Sequence, residues 1–488
     1  VPERKYRIIV GLEIHVQLCT QSKMFCPCAL EFAAQPNSLV CPVCLGMPGS
    51  LPVMNRKAVE YAVLAATALN CTIARFTKWD RKSYYYPDLP KNYQISQYDL
   101  PLGSDGFIEI PVEGAKTKKV GIIRVHLEED AGKNLHAGGD YSRVDLNRAG
   151  TPLLEIVTAP QMNSGAEVRA LAEQLQRIVR YLGVSQADMQ KGHMRFEPNV
   201  NVVITDHEKE YRTPITEIKN LNSFRSLEKS VEYEAARQLE EFRATGRVIG
   251  GGTKTTRGWN DAREITVLQR EKEEAHDYRY FPDPDLVPVT IDEAWVGRAR
   301  EGMCELPLAR QRRYVSRYGL SVYDAGVLTA DRATADFFEQ VIDCGAEAKR
   351  ACNLITQHYQ RIANQRCCGA ADLGVTPAHV AELAGMVDSG LVSASAAAEI
   401  SDMTVEETDI SPRRIAEREN LIQKSNEAEL AVVVERVLSA NPGAVGDVKS
   451  AGKKSKAARG FLVGQVMKAT EGRANPKVVS RILERMLS

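Results

Sequence analysis

The chain has 488 residues, 63 Lys+Arg against 63 Asp+Glu for no formal net charge, and 44% hydrophobic side chains, an ordinary composition for a globular protein. That length exceeds what one hydrophobic core organises, so two to four domains are expected; no apolar run reaches a bilayer span and the start carries no signal-like segment, which argues against membrane insertion and secretion. Eleven cysteines, an odd number, fit a reducing compartment better than a disulfide framework and point to a cytoplasmic location.

Alternation of Val10, Leu12, Ile14, Val16 and Leu18 with non-apolar residues predicts a half-buried strand, with Glu13 and His15 side by side on its other face. Cys26 and Cys28, then Cys41 and Cys44, make two close pairs whose thiolates can converge on a tetrahedral zinc, with Pro42 and Gly46 suited to the tight knuckle. Such a four-sulfur site is coordinatively closed and therefore structural; four reduced structural cysteines are the alternative. Residues 55–70 read as an amphipathic helix with Val59, Ala62, Val63, Ala66 and Leu69 on one stripe. In 83–98 five tyrosines, Tyr85 and Tyr86 among them, stand among prolines and amides close to Arg81, Lys82 and Lys91. Those rings and cations suit a splayed single-stranded RNA end, or else a packed loop crossing the sheet edge.

A second alternating stretch places Ile123, Val125 and Leu127 inward and Arg124, His126, Glu128 and Asp130 outward. In one sheet with aligned polar faces, the two strands concentrate carboxylates and imidazoles over a small area; two amphipathic strands with wet outer faces are the other reading. Glu155 stands within an otherwise apolar strand, costly unless it is paired or metal-bound. Ser164 and Glu167 form a capping box for a helix closed by Gly183, and a strand pair with Arg195, Glu197, Asn199 and Asn201 precedes a third helix running to about Gly246.

Gly246, Gly250, Gly251 and Gly252, followed by Thr253, Thr255, Thr256 and Arg257, can cradle phosphate oxygens, a weak signal. No P-loop motif occurs, so nucleotide use is of another type. Residues 277–285 read as a loop closing the first domain, which ends near 295. From 296 to 410 the pattern is helical. In the tail, 411–488, Asn441-Pro442-Gly443 stops one helix and Pro476 opens the last. Residues 441–488 hold ten Lys/Arg against three acids, an excess that marks Lys453, Lys454, Lys456 and Arg459 for contact with a phosphate backbone.

The segments Gly11-Leu12-Glu13-Ile14-His15, Tyr85-Tyr86-Pro87-Asp88-Leu89-Pro90-Lys91, 126–133, 145–155, 217–224 and 277–282 resemble the B subunits of bacterial-type aspartyl/glutamyl-tRNA amidotransferases. The resemblance continues through 323–329, 460–468 and Ala474-Asn475-Pro476, essentially the whole chain. It implies an α+β fold: a glutamine-synthetase-like cradle domain with an antiparallel sheet over 1–295, carrying a zinc knuckle at 26–44. An all-α helical domain over 296–410 and a small tRNA-contacting helical tail over 411–488 would follow.

The implied reaction is that of a carbon-nitrogen ligase with glutamine as amido donor. ATP phosphorylates the side-chain carboxylate of glutamate mischarged on tRNA(Gln), or aspartate on tRNA(Asn), and ammonia displaces the phosphate. The ammonia would come from a partner amidase, the A component of the same complex, with a small C component joining the two; neither DNA nor a membrane is involved. Carried over position by position, Glu13, His15 and Glu128 hold magnesium, with Glu155 next, and these four are the catalytic candidates. Glu129 falls on the wrong face by alternation. Lys133 and Arg148 steady phosphate charge, with Arg257 as a further phosphate candidate. Phe196-Glu197 and Asn353-Leu354 depart from the Cys-Asp and Asn-Trp pairs usual in the family. A non-catalytic zinc-containing RNA-binding protein is the rival reading; it leaves the Glu13, His15, Glu128 and Glu155 set without a purpose.

Overall fold

A computed structural model describes residues 5–113, 116–136, 138, 140–206, 209–249, 254–271, 278–423, 426–450, 455–470, 472 and 474–487. The chain divides into two compact units, Val1–Ala309 and Arg310–Ser488. The class is α+β: a large sheet with helices in the first unit, helices alone in the second.

The first unit is built on a ten-stranded sheet. Across it run Ile265–Glu271, Thr255–Asn260, Thr216–Lys219, Met194–Asp206, Lys5–Gln17, Pro152–Thr158, Lys116–Glu129, Gly103–Val112 and Thr72–Ile73, with Lys209–Arg212 paired off Met194–Asp206. Among the described pairs only Thr216–Lys219 with Thr255–Asn260 is parallel, and the helix Phe224–Thr245 makes that crossover. Lys5–Gln17 is the central strand, antiparallel to both neighbours.

Three helices, Arg56–Ala68, Gly165–Tyr181 and Phe224–Thr245, supply the apolar layer on one face. Their starts follow from capping chemistry. Asn55 accepts from the amides of Lys57 and Ala58, Ser164 from Glu167, and Ser223 from Ser226. The Glu167 carboxylate closes its box one residue early, on the amide of Asn163 at 2.7 Å. A Cβ on Gly165 would stand 2.5 Å from the Glu228 carbonyl, so glycine lets two of these helices meet. Val10, Leu12, Ile14 and Val16 are all buried beneath this layer, each contributing roughly 1.5–3 kcal/mol. Period-2 alternation therefore turns Glu13 and His15 to the opposite face.

Alternation fails within Lys116–Glu129, and the failure is a bulge. Arg124 faces Val157 and Ser104, whereas the next paired residue, Ile122, faces Thr158 and Gly106. Ile123 is passed over and lies 47% exposed, and Ile122 takes the core position expected of it. Beyond the bulge the predicted phase holds, so His126 and Glu128 share one face.

The first compact unit runs to Ala309, and Trp295, Val296 and Ala299 of the helix Glu293–Glu301 pack on its core. Of the glycine-rich cradle, 250–253 lie outside the described residues; Thr255, Thr256 and Arg257 are ordinary strand residues. Of the expected 277–285 loop, Phe281–Pro282 forms a strand against Asp80–Ser83, which also pairs Tyr93–Ser96.

In the second unit one apolar cluster gathers side chains from Tyr314 to Ala416 and another those from Leu430 to Leu487. Asn441-Pro442-Gly443 does end a helix, Glu427–Ala440, but Pro442 opens the next, Pro442–Lys449, since proline fits a first helical turn. Among the described residues no helix is long and apolar enough to cross a membrane.

Candidate active site

Register brings the site together. His15 pairs with Glu155, and Glu155 in turn with His126, so three side chains from three adjacent strands stand in one row on the face away from the helices. Arg195 extends that row on the other side of His15, and Glu197 pairs with Glu13 in the next row. Glu128, two residues beyond His126, completes the set.

The distances are short. His15 Nε2 lies 3.7 Å from Glu13 Oε1, 3.7 Å from Glu128 Oε1 and 3.5 Å from Glu155 Oε2. His126 Nε2 lies 3.6 Å from Glu155 Oε2 and 3.9 Å from Glu128 Oε2. Two ligand groups result, Glu13/His15/Glu155 and His126/Glu128/Glu155, each with its donor atoms within 4.8 Å of one another; Glu155 belongs to both. Glu13, His15, Glu128 and Glu155 are thus all brought into one cluster.

Burial and crowding set the protonation states. Burial pushes the Glu128 carboxyl up to about 7, helped by the charge of Glu155, and the same two causes raise Glu13. Burial opposes ionisation of Glu155, but the imidazoles of His126 and His15 and the ammonium of Lys82 hold it below the usual carboxylate range. Burial also opposes charge on His15; its hydrogen bond to Glu155 and the charges of Glu128 and Glu155 outweigh that and raise it to about 9. His126 is pushed down to about 4 by burial, with Arg124 adding to the effect, and is neutral.

Alternation sends Glu129 to the other side, where it pairs with the Lys91 ammonium and accepts the Ile95 amide at 2.9 Å. Asp130 accepts from Arg195 at 2.6 Å and Gln17 at 2.7 Å. Neither carboxylate is in either ligand group.

Other sequence candidates divide. Arg148 donates to the Ala131 carbonyl at 2.9 Å and lies 3.7 Å from Asp130, beside the cluster. Lys133 is exposed in the hairpin of Lys133–Leu135 and Arg143–Asp145. Arg257 is a correction. In parallel register it sits beside the core residue Ile218, on the helix-covered face, bonded to Thr266 at 2.8 Å and 3.6 Å from Glu234. Lys91 is half-buried, and its ammonium pairs with Glu129.

Tyr85 and Tyr86 are exposed, with Arg279 over the Tyr85 ring at 5.8 Å. Tyr98 instead stacks on Tyr280 at 4.1 Å, and Tyr84 meets Tyr278 edge-on. In the tail Lys453 and Lys454 lie outside the described residues, Lys456 is exposed, and Arg459 pairs with Glu484 at 2.8 Å.

Lys82, Arg124 and His126 also reach the cluster; sequence reasoning sets the last two on the Glu128 face and Lys82 beside the tyrosines, without a catalytic role for any of them. Arg124 reaches Glu155 at 3.3 Å. Burial opposes charge on Lys82, yet Glu128, Tyr280 and Glu155 keep it protonated. The signal for His126 and Arg124 was their shared phase with Glu128; nothing local on the four-residue strand Asp80–Ser83 tied Lys82 to the carboxylates rather than to the tyrosines.

The four cysteines converge too, with sulfur atoms within 4.8 Å of one another. Cys44 is held down at about 4, by Cys26 first and then by the backbone of Cys41 and the charge of Lys23. A soft, closed four-thiolate set of this kind fits zinc, whereas the buried carboxylates and imidazoles above fit a hard dication.

Comparison with known proteins follows the same lines. A family model described as the GatB/GatE catalytic domain matches residues 8–297, and one described as the GatB domain matches residues 336–487. Relatives named as the B subunit of aspartyl/glutamyl-tRNA(Asn/Gln) amidotransferase share 46% identity with the chain. That of Carboxydothermus hydrogenoformans is matched over 99% of both chains, and those of Thermoanaerobacter pseudethanolicus and Moorella thermoacetica over 99% of this chain and 100% of theirs.

Proposed function

Because the chain belongs to the family of aspartyl/glutamyl-tRNA(Asn/Gln) amidotransferase B subunits, the catalytic subunits of a glutamine-dependent carbon-nitrogen ligase, we propose that its carboxylate–imidazole face is where ATP activates the side chain of a mischarged aminoacyl-tRNA. The observation that carries this reading is the convergence of Glu13, His15, Glu128 and Glu155 on one sheet face, away from the helices.

Two buried carboxylates and a half-buried third a few ångströms apart repel one another, and a divalent cation relieves that repulsion. Glu13, Glu128 and Glu155, with the imidazole of His15 once it gives up the proton it carries in the metal-free site, would hold magnesium, which would supply charge neutralisation for phosphoryl transfer. Lys82 and Arg124 bring positive charge to the same face and orient the transferring phosphoryl group. The substrate carboxylate takes the terminal phosphoryl group of ATP and ADP leaves. Ammonia then attacks the acyl carbon, and phosphate departs to give the amide.

Zinc at Cys26, Cys28, Cys41 and Cys44 is structural in this scheme. The cradle domain, the helical domain and the tail, which presents Lys456 to tRNA, act in the cytoplasm with the amidase A component and the small C component of the complex. Magnesium-dependent ATP turnover stimulated by mischarged tRNA tests the proposal. Glu13→Gln and Glu128→Gln should each lower it about a hundredfold. Unchanged turnover with RNA binding intact would favour the non-catalytic zinc-containing RNA-binding protein.

A further inference from the structure

Two asparagines join the cysteine knuckle to the segment that leads into the site. Asn37 lies in the loop between the cysteine pairs, with φ +60, a left-handed conformation that asparagine tolerates. Its Nδ2 donates to the Val144 carbonyl at 2.9 Å, and its Oδ1 accepts the Leu146 amide at 2.8 Å. Asn147 returns the contact: its Nδ2 donates to the Gln35 carbonyl at 2.7 Å, and its Oδ1 accepts the Leu39 amide at 2.8 Å. The Asn37 amide also donates to Asp145 Oδ1 at 3.1 Å. Each carboxamide uses donor and acceptor together on the other segment's backbone, which neither a carboxylate nor a hydroxyl of that length reproduces.

Beneath this pair Lys23 is fully buried. Its ammonium donates to Cys44 Sγ at 3.6 Å and to the Leu146 carbonyl at 3.3 Å, and the next amide, Met24, donates to Gly150 O at 2.8 Å. The far end of the segment reaches the carboxylate strand. Gly150 N–H donates to Asp130 O at 2.9 Å, Asp130 N–H to Thr151 O at 2.8 Å, and Arg148 to Ala131 O. Asp130 stands two residues from Glu128.

We propose that Asn37 and Asn147 form a reciprocal clasp through which the cysteine knuckle positions the Glu128–Asp130 end of the sheet, with Lys23 linking the cysteine charge to the same segment. These are positioning residues, and the assignment rests on the reading of that face as a phosphoryl-transfer site. The knuckle then sets the catalytic geometry as well as holding its own loop.

The test uses the full chain purified with its partner subunits, comparing wild type with Asn37→Ala, Asn147→Ala, the double variant and Asn37→Asp, which keeps the acceptor and loses the donor. Amide exchange across 144–151 should rise about tenfold while that of Lys5–Gln17 stays put. Zinc content should be unchanged, and kcat for tRNA-stimulated ATP turnover should fall about five- to twentyfold with KM for ATP within about twofold. The double variant should be no worse than the singles, because both amides act on one junction. Faster exchange with kcat unaltered would overturn the proposal, as would unaltered exchange.

Should a variant fail to fold, chelating zinc from the wild type decides. Exchange at 144–151 should rise before that of Lys5–Gln17, and a simultaneous rise in both contradicts the clasp. A wild-type complex lacking tRNA-stimulated turnover would sink the ligase reading instead, whatever the exchange shows.

Discussion

Glu155 is the side chain on which both ligand groups depend, and its position explains why a carboxylate survives in an otherwise apolar strand. It is 5% exposed, yet His15, His126 and Arg124 all lie within 3.6 Å of its oxygens. An unpaired carboxylate there would be expelled or protonated; a surrounded one is held ionised. The same reasoning separates two cations the sequence cannot rank. Lys82→Met should lower ATP turnover about ten- to a hundredfold with little change in stability, since its charge faces the cluster. Arg257→Ala should leave turnover within about twofold and cost about 1–2 kcal/mol in denaturant unfolding, because it removes bonds to Thr266 beneath the sheet. Loss of turnover in Arg257→Ala would restore the glycine-rich cradle reading. Glu13, His15, Glu128 and Glu155 were legible because side-chain period and an out-of-place charge are local properties. The pairing of Lys91 was not, because its partner Glu129 comes from a strand distant in sequence.

Elements were readable where their signals are short-range. The Ser164 cap, the left-handed Gly183 and Gly246 ends and the alternation of 10–18 all stand as local chemistry dictates. The bulge at Ile123 was hidden, because two adjacent isoleucines satisfy either phase and only the partner strands choose between them. That the helix Glu293–Glu301 packs on the first core was equally hidden: a short amphipathic helix does not announce which core it will cover. In the second unit the helices Pro307–Tyr318 and Arg332–Asp343 are joined through Glu339, which accepts from Arg310 at 2.8 Å, Arg313 at 2.6 Å and Tyr314 at 2.8 Å. Burial opposes its charge, but those donors win and hold its carboxyl below the usual value. Folding thus weakens proton binding at Glu339, so its stabilisation is complete above about pH 5 and is lost as pH falls through the carboxylate range. Amide protection in these two helices, corrected for the intrinsic exchange rate at each pH, should therefore fall between about pH 5 and pH 3.5 in the wild type, and Glu339→Gln should lose about 1–2 kcal/mol at neutral pH and flatten that dependence. Identical pH profiles would show that the cluster contributes nothing.

At the scale of the whole chain, a neutral protein concentrates its positive excess in one small apolar-cored tail. Part of that excess is internally matched, since Arg459 pairs with Glu484 and Arg481 with Glu427. The exposed Lys456 is the better test of phosphate contact. Lys456→Glu should raise KM for tRNA about threefold, flatten its salt dependence and leave kcat with saturating tRNA unchanged; an unaltered KM would remove the tail from the tRNA footprint. The central claim concerns chemistry at the sheet face away from the helices, and isotope transfer tests it most directly. The complex would receive tRNA carrying glutamate labelled with oxygen-18 in its side-chain carboxylate, together with magnesium, ATP and an ammonium salt. If the carboxylate itself is phosphorylated, about one labelled oxygen appears in each phosphate released by the wild type, and none is formed by Glu155→Gln. Amide formed with unlabelled phosphate, or labelled phosphate persisting in Glu155→Gln, would contradict the account.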